Sequence, residues 1–387
     1  MNETDINQRV AAFLEEHDPG GDRLEFLRAR FDAGLAWVWF PEGLGGLGAP
    51  RELQQVVERE LADTPQLNSG KQAIGLGMAA PTILAFGTAE QQRRFLRPLW
   101  TGEEIWCQLF SEPGAGSDLA TLATRAVRDG DEWVVDGQKV WTSGAHHARW
   151  AILVARTDPD VPKHRGLTYF VCDMHAPGVE VRPLRQITGE AEFNEVFLTG
   201  VRLSDDLRLG EVGDGWRVAQ TTLMNERVAI GGAPTRRGGG VMASVVSAWR
   251  EHPELRTHEL HQRLLALWVE AEATRLSGAR LREQLAAGQP GPEGSGMKLA
   301  FAKLNQELTG FDVEFLRDLG YDDWAFRRSE DVDFFGRGPG YRYLRAKGNS
   351  IEGGTSEILR NIISERVLGL PSEPRIDKDV PWKDLPR

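Results

Sequence analysis

The chain has 387 residues, 41% hydrophobic and 27% charged, with a formal net charge of -11. That length supports two or three domains with substantial cores, and the acidic balance without a basic stripe argues against nucleic acid as a partner. No apolar run approaches the roughly 18 residues a membrane span needs, and the two cysteines, Cys107 and Cys172, give neither a disulfide framework nor a zinc cluster.

The N-terminus, Met1-Asn2-Glu3-Thr4-Asp5, is polar and acidic and carries no signal pattern. With the cysteine count it predicts a soluble, cytoplasmic protein. Ile6, Val10, Phe13 and Leu14 then recur at helical spacing, with Asp5 as the expected N-cap. The glycine-rich run Pro41-Glu42-Gly43-Leu44-Gly45-Gly46-Leu47-Gly48 predicts a loop. Helical patterns resume from Pro50 and from Thr88, so residues 1–104 read as a helical domain.

Residues 105–210 read as a β domain. Glu132 to Trp141 predicts a hairpin around an Asp136-Gly137 turn. Trp150–Arg156, Leu167–Asp173 and Glu195–Leu198 read as strands. Helical periodicity returns at Gly215, so residues 211–387 form a third, helical domain. Within it Arg337 to Ser350 reads as a connection and the tail after Leu370 as weakly ordered. The order of helices, β middle and helices predicts an α+β fold with segregated layers.

Two segments carry candidate chemistry. Trp106 to Asp118 joins the first helical block to the β block, and its glycines and serines around a Pro-Gly turn expose backbone N–H groups and hydroxyls to a flat ring or a diphosphate. Read alone it is as readily a plain interdomain turn. It is not a dinucleotide fingerprint, having no G-x-G-x-x-G between strand and helix. Trp141-Thr142-Ser143-Gly144-Ala145 ends a predicted strand with a stacking ring and two hydroxyls, and read alone it is a core Trp before a turn. His146 and His147 follow without a ligand partner at metal spacing, and read as structural.

Taken in order, these motifs resemble the acyl-CoA dehydrogenase family of FAD flavoproteins. The resemblance runs through Pro41–Gly48, Phe86–Gln92, Ser111–Asp118, Gly137–Ala145 and Glu352–Arg360 and covers nearly the whole chain. It implies an N-terminal helical domain, a middle β domain and a C-terminal four-helix bundle. It places Gln108, Phe110, Ser111, Trp141, Thr142 and Ser143 at the flavin, and Ser117 near the FAD diphosphate and the pantetheine arm of the substrate. Thr355 and Glu357 match C-terminal FAD contacts, and Thr355 also suits the N-cap of the last helix. The resemblance implies an acyl-CoA substrate, electron-transfer flavoprotein as acceptor, and a homodimer or homotetramer.

Desaturation of a thioester needs a base for the α-proton. In much of the family that base is the Glu immediately before Gly-Thr in the C-terminal motif, but Gly353 stands there, with Glu352 one position upstream. A shift of one residue moves a carboxylate by roughly 3.5 Å. On the helix beginning at Gly215, the residues Trp216, Ala219, Leu223, Glu226 and Ile230 share one face, so Glu226 interrupts an apolar stripe. From the helix alone, an ion pair or a stripe-edge position is the readier account. Branches of the family such as isovaleryl-CoA dehydrogenase carry their base on this helix just before an Arg, and Glu226-Arg227 matches that placement. The resemblance therefore assigns Glu226 as base, Glu352 as fallback and Arg227 as the CoA-proximal cation.

Two departures stand out. Glu254 to Leu260 lacks the family's Phe-Gly motif for FAD contacts across the dimer, and Phe335 to Tyr341 replaces its usual Gln and paired glycines. With Gly353-Gly354, these features resemble a bacterial subgroup that acts on branched or polycyclic acyl groups, some of whose members form heteromers. Gly353 at the base position keeps open a non-catalytic FAD- or CoA-binding subunit, and a flavin monooxygenase on the same fold is a further alternative.

Overall fold

The computed structural model describes residues 1–67, 69–231, 236–286, 292–319, 338–374 and 377–385; at 69, 227–231 and 285–286 the backbone alone is described. The chain divides into two compact units. The first comprises Met1–Pro183, Phe193–Thr222 and Ile376–Arg387, and the second Leu184–Glu192 and Leu223–Arg375.

The first unit opens with helices α1 (Glu3–Glu16), α2 (Arg23–Asp32), α3 (Gln54–Glu60), α4 (Ser69–Ile74), α5 (Ala80–Phe86) and α6 (Ala89–Thr101). The cap of α1 is Asn2 and not Asp5. Asn2 accepts from the Asp5 N–H, and the Asp5 carboxylate accepts from the Asn2 N–H, which makes a reciprocal capping box. Ile6, Val10 and Phe13 on α1 bury one face against Phe26, Leu35, Val56, Val57 and Leu61. Thr88 caps α6 through the same box with Gln91.

The sheet follows, with strands β1 (Trp106–Leu109), β2 (Arg125–Asp129), β3 (Glu132–Ser143), β4 (Trp150–Arg156), β5 (Leu167–Asp173), β6 (Val179–Leu184), β7 (Phe193–Ser204) and β8 (Arg208–Leu209). Their order is β6-β7-β3-β2-β4-β5-β8, with β1 off this path and parallel to β4. Every residue of β4 is buried, which is why its sequence reads as an unbroken apolar run.

The Asp136-Gly137 turn does not exist. β3 runs straight through it, and the hairpin turns at Gly130-Asp131, where Gly130 takes φ +64°. Asp136-Gly137 instead marks a register shift against β7. A Cβ on Gly137 would lie 2.3 Å from Thr124 Oγ1 and 2.7 Å from Thr124 Cα, so this glycine serves close approach and not a turn.

Helix α7 (Gly215–Gly231) leads toward the second unit's helices α8 (Val241–Glu251), α9 (His258–Ala286), α10 (Gly294–Phe315), α11 (Pro339–Ala346) and α12 (Ser356–Ile362). Met242, Val245, Leu264, Leu304, Leu308, Phe311 and Phe315 form the core of this unit. The expected connection over 337–350 is largely helix α11. Pro339 starts it, Tyr341 and Ala346 are buried, and Arg342 pairs with the buried Asp312 at 2.6 Å.

Residues 377–385 of the tail are anchored, against the weak order its composition predicts. Trp382 stacks on the Arg156 guanidinium at 4.4 Å and donates from Nε1 to the Thr121 carbonyl, and Lys163 bridges Asp118 and Asp377. Aromatic anchoring of this kind offsets a polar composition. Among the described residues no helix is long and apolar enough to cross a membrane.

Gly137→Ala tests the close approach in β3. It is expected to cost about 1–3 kcal/mol through overpacking against Thr124. A denaturation midpoint equal to the parent's would show that Thr124 gives way freely.

Candidate active site

In the first unit the chain leaves β1 at Leu109 and passes through Phe110, Ser111 and Glu112. The Glu112 and Ala115 backbones then exchange hydrogen bonds of 3.0 Å around Pro113-Gly114. A Cβ on Gly114 or Gly116 would meet nothing within 4 Å, so neither glycine is required by packing. Ser117 is exposed. Arg156 holds the next segment by donating to the Ala120 and Leu122 carbonyls at 2.6 and 3.1 Å; burial pushes its pKa down to about 10.

The second segment sits at the end of β3. Its register against β7 shifts between Lys139 and Thr142, and Trp141 within that bulge takes φ +61°. No other non-glycine among the described residues has a positive φ. Such strain in a bulky residue marks a functional constraint, and bulges re-aim side chains beside active sites. The bulge leaves the Trp141 ring 58% exposed, edge-on to Phe193.

Beside it Thr142 is 1% exposed, yet among the described residues its Oγ1 has no hydrogen-bond partner. A buried orphan hydroxyl calls for an outside partner. Its carbonyl accepts from Asn194, whose amide also reaches His146 Nδ1 at 3.1 Å. An exposed indole beside a buried, unsatisfied hydroxyl fits the face and edge of a flavin ring.

One buried ion pair clamps the two segments together. Lys139 is fully buried and donates to the Phe110 carbonyl at 3.0 Å, the Val154 carbonyl at 2.9 Å and Glu112 Oε1 at 2.9 Å. Glu112 also accepts from the Ala123 and Thr124 N–H groups. Burial pushes the Glu112 carboxyl up, and the Lys139 ammonium with the N–H donors brings it below the usual range; the same burial pushes Lys139 down. The Val140 N–H donates to the Ser111 carbonyl at 2.9 Å and completes the join.

Helix α7 carries the candidate base. Among its described residues Gly215, Val218, Ala219 and Thr222 are buried, and Thr222 shares hydrogen bonds of 2.9 Å with Tyr169 and Thr82. Trp216 and Leu223 are only half-buried, so the stripe is rotated from the one read in the sequence. Glu226, one turn beyond Thr222, is half-buried. The Arg227 side chain and residues 335–337 lie outside what is described.

In the second unit a buried lysine grips the loop that carries one candidate carboxylate, Glu352. Lys298 is 1% exposed and donates to the Asn349 and Gly354 carbonyls, each at 2.7 Å. Burial lowers its pKa, while the charges of Glu352 and Glu226 act to raise it. Glu352 is held by Arg345 at both oxygens, 3.1 and 2.9 Å, and by the Asn349 amide at 2.7 Å. Gly353 and Gly354 have φ of +62° and +94°. Thr355 caps α12 by accepting from the Ile358 N–H, and Glu357 is exposed beside Arg360.

The structure thus brings Gln108, Phe110 and Ser111 beside Trp141, Thr142 and Ser143, and it holds the loop of Glu352 on Lys298 through the Asn349 and Gly354 carbonyls. Sequence reasoning missed Lys139, Lys298 and Arg345. The signals were available: Lys139 falls on the inward parity of Trp133 and Val135, and Lys298 lies on the buried stripe of α10 with Ser295 and Ala302.

Residues 3–103, 107–201 and 213–368 match the family profiles described as the N-terminal, middle and C-terminal domains of acyl-CoA dehydrogenase. Acyl-CoA dehydrogenase IpdE1 of Mycobacterium tuberculosis is 37% identical over 371 residues, 93% of this chain and 91% of that protein. Acyl-CoA dehydrogenase FadE34 of the same organism is 43% identical over 345 residues, but the match covers 88% of this chain and only 45% of FadE34. Among solved structures, the Tcur3481-Tcur3483 steroid ACAD aligns with a TM-score of 0.72 at 25% identity, covering 96% of this chain and 98% of that one. The ChsE4-ChsE5 complex from Mycobacterium tuberculosis aligns with a TM-score of 0.69 at 27% identity, covering 95% and 93%.

The clamp can be tested through its charge. Lys139→Met strands a buried carboxylate and is expected to cost about 3–5 kcal/mol, most of it recovered by Lys139→Met with Glu112→Leu. Chemical denaturation reads both variants; additive losses would show that the pair is not coupled. Because the folded Glu112 pKa is depressed, its contribution is present at neutral pH and lost on acidification.

Proposed function

Since the chain belongs to the acyl-CoA dehydrogenase family, FAD-dependent oxidoreductases acting on CH–CH donors, we propose that it desaturates an acyl-CoA thioester with Glu226 as the base. The observation that carries this assignment is the state of the alternative carboxylate. Both oxygens of Glu352 are taken by Arg345, one of them also by Asn349, and Gly353 offers no side chain. To act as base, Glu352 would first have to give up these charge-assisted bonds.

In the proposed reaction the Glu226 carboxylate takes the α-proton, the freed electron pair forms the Cα–Cβ double bond, and the β-hydrogen leaves with its bonding pair. Bound FAD supplies the acceptor for that hydride. Thr142, Ser143, Ser111 and Gln108 would hold the flavin edge, and Trp141 and Phe110 would border its face. Ser117 and Arg227 are assigned to the CoA arm, and Thr355 and Glu357 to further FAD contacts. The Trp141 strain and the unsatisfied Thr142 hydroxyl support the flavin assignments.

The steroid ACAD and the ChsE4-ChsE5 complex among the similar structures support a bulky, polycyclic acyl group and a heteromeric assembly as the form to look for first; a homodimer or homotetramer is the alternative. Electron-transfer flavoprotein is the proposed acceptor and the cytoplasm the proposed location.

The purified protein is expected to be yellow and to bleach anaerobically with one member of an acyl-CoA panel that includes steroid side-chain thioesters. Glu226→Gln is expected to keep FAD while bleaching slows by about 10² to 10⁴. Glu352→Gln is expected to bleach at a comparable rate but unfold earlier, since it breaks the Arg345 pair. The reverse pattern would move the base to Glu352. A protein that stays colourless after FAD reconstitution would favour a non-catalytic subunit.

A further inference from the structure

Beyond the glycine-rich turn, the carbonyls of residues 118–122 can be accounted for one by one. The Asp118 carbonyl accepts from the Thr121 N–H at 3.0 Å, and the Leu119 carbonyl from the Leu122 N–H at 3.1 Å. The Ala120 and Leu122 carbonyls go to Arg156, and the one between them, that of Thr121, goes to Trp382 Nε1 at 3.0 Å. Arg156 is 3% exposed, and its third side-chain bond also ends on a carbonyl, that of Lys163 at 3.2 Å. A buried cation ending on dipoles is costly, and the Trp382 ring covers its face at 4.4 Å.

The tail sets Trp382 in this place. The Trp382 N–H donates to the Val161 carbonyl at 2.9 Å, the Lys383 N–H to the Pro159 carbonyl at 3.1 Å, and Lys383 Nζ lies 2.6 Å from Asp160. Asp377 makes a second anchor. The buried Lys163 binds Asp377 and also, at 2.6 Å, Asp118, which directly follows Ser117. The tail thus grips one and four residues beyond the exposed Ser117, at Asp118 through Lys163 and at Thr121 directly. On the entry side Gly114 and Gly116 stand in open space. The hold on Ser117 therefore comes from the Glu112–Ala115 pair before it and from the strapped segment after it.

We propose that residues 377–383 are a strap that keeps the candidate ligand turn in its binding shape, with Trp382 as the positioning residue for a diphosphate-bearing ligand at Ser117. This inference rests on the assignment of Ser117 to the coenzyme A arm; FAD carries the same diphosphate chemistry. Trp382 acts through Thr121 and Arg156 and not on the ligand. It takes the one carbonyl that Arg156 leaves between its own two, and it keeps water off the guanidinium. The segment after Ser117 is then ordered before the ligand arrives, which favours binding.

Trp382→Ala removes the ring and its N–H, whereas Trp382→Phe keeps a ring over Arg156 and loses the Thr121 bond. Both are made in the full chain. Amide hydrogen exchange is followed over residues 118–124, with β5 and β7 as internal controls. Calorimetry measures FAD binding to the apoprotein and coenzyme A binding to the FAD-loaded protein. In Trp382→Ala, exchange over 118–124 is expected to accelerate with β5 and β7 unchanged. Coenzyme A is expected to bind about tenfold more weakly, with a smaller loss in Trp382→Phe. A loss of FAD affinity as well or instead would support the strap and assign its turn to the FAD diphosphate. Unchanged exchange over 118–124, or the parent's affinity for both ligands, overturns the proposal. Should Trp382→Ala also loosen β5 and β7, Trp382→Phe decides by the same readouts. A parent that binds neither FAD nor coenzyme A overturns the acyl-CoA reading itself, and the role of the strap at Ser117 falls with it even where exchange over 118–124 accelerates.

Discussion

The Lys139 ammonium is the constraint on which the candidate flavin-binding segments of the first unit depend. It is fully buried, and its three hydrogen bonds run to the end of β1, to β4 and to Glu112 on the glycine-rich turn. A charge in that setting tolerates little displacement, because each lost partner costs the desolvation energy of an unpaired ion. The turn after β1 and the end of β3 are therefore held in register by a buried ion pair between them. This rigidity is what allows Trp141 to keep a left-handed backbone that an isolated strand end would relax.

The second unit repeats the device with different chemistry. Lys298 is buried too, but it ends on two carbonyls and not on a carboxylate. The loop it grips contains two consecutive glycines with positive φ, a conformation that a glutamate at position 353 would adopt only under strain. In the proposed assignment the base stands on a helix, and no side chain is needed there. A carboxylate on α7 is positioned by seventeen residues of helix instead of a loop turn, and helical elements hold functional groups more tightly than loops.

Much of the fold was legible beforehand, and the misses have specific causes. The apolar runs of β4 and β5 and the helical pattern from Thr88 are local signals that tertiary context did not override. The Asp136-Gly137 turn was misread because glycine serves turns and close approaches alike, and only the Thr124 backbone opposite distinguishes them. Helix α11 was hidden by its glycine and arginine content, which is compensated by a buried partner, Asp312, thirty residues away. The tail was underestimated because one aromatic residue, Trp382, anchors it to a distant arginine.

What the sequence by itself determined was the broad order of helices, sheet and helices, the motifs that identify the family, and the displacement of the C-terminal carboxylate by one position. These depend on periodicity, turn chemistry and spacing, all properties of neighbouring residues. Only the tertiary structure decided which charges are buried and with whom. Lys139 meets Glu112 across 27 residues, and Lys298 meets the Asn349 and Gly354 carbonyls across 51 and 56. Glu352, which reads as a base in waiting, is bound on both oxygens by Arg345. Electrostatic partnership is set by distance through folded space, and spacing along the chain does not encode that distance.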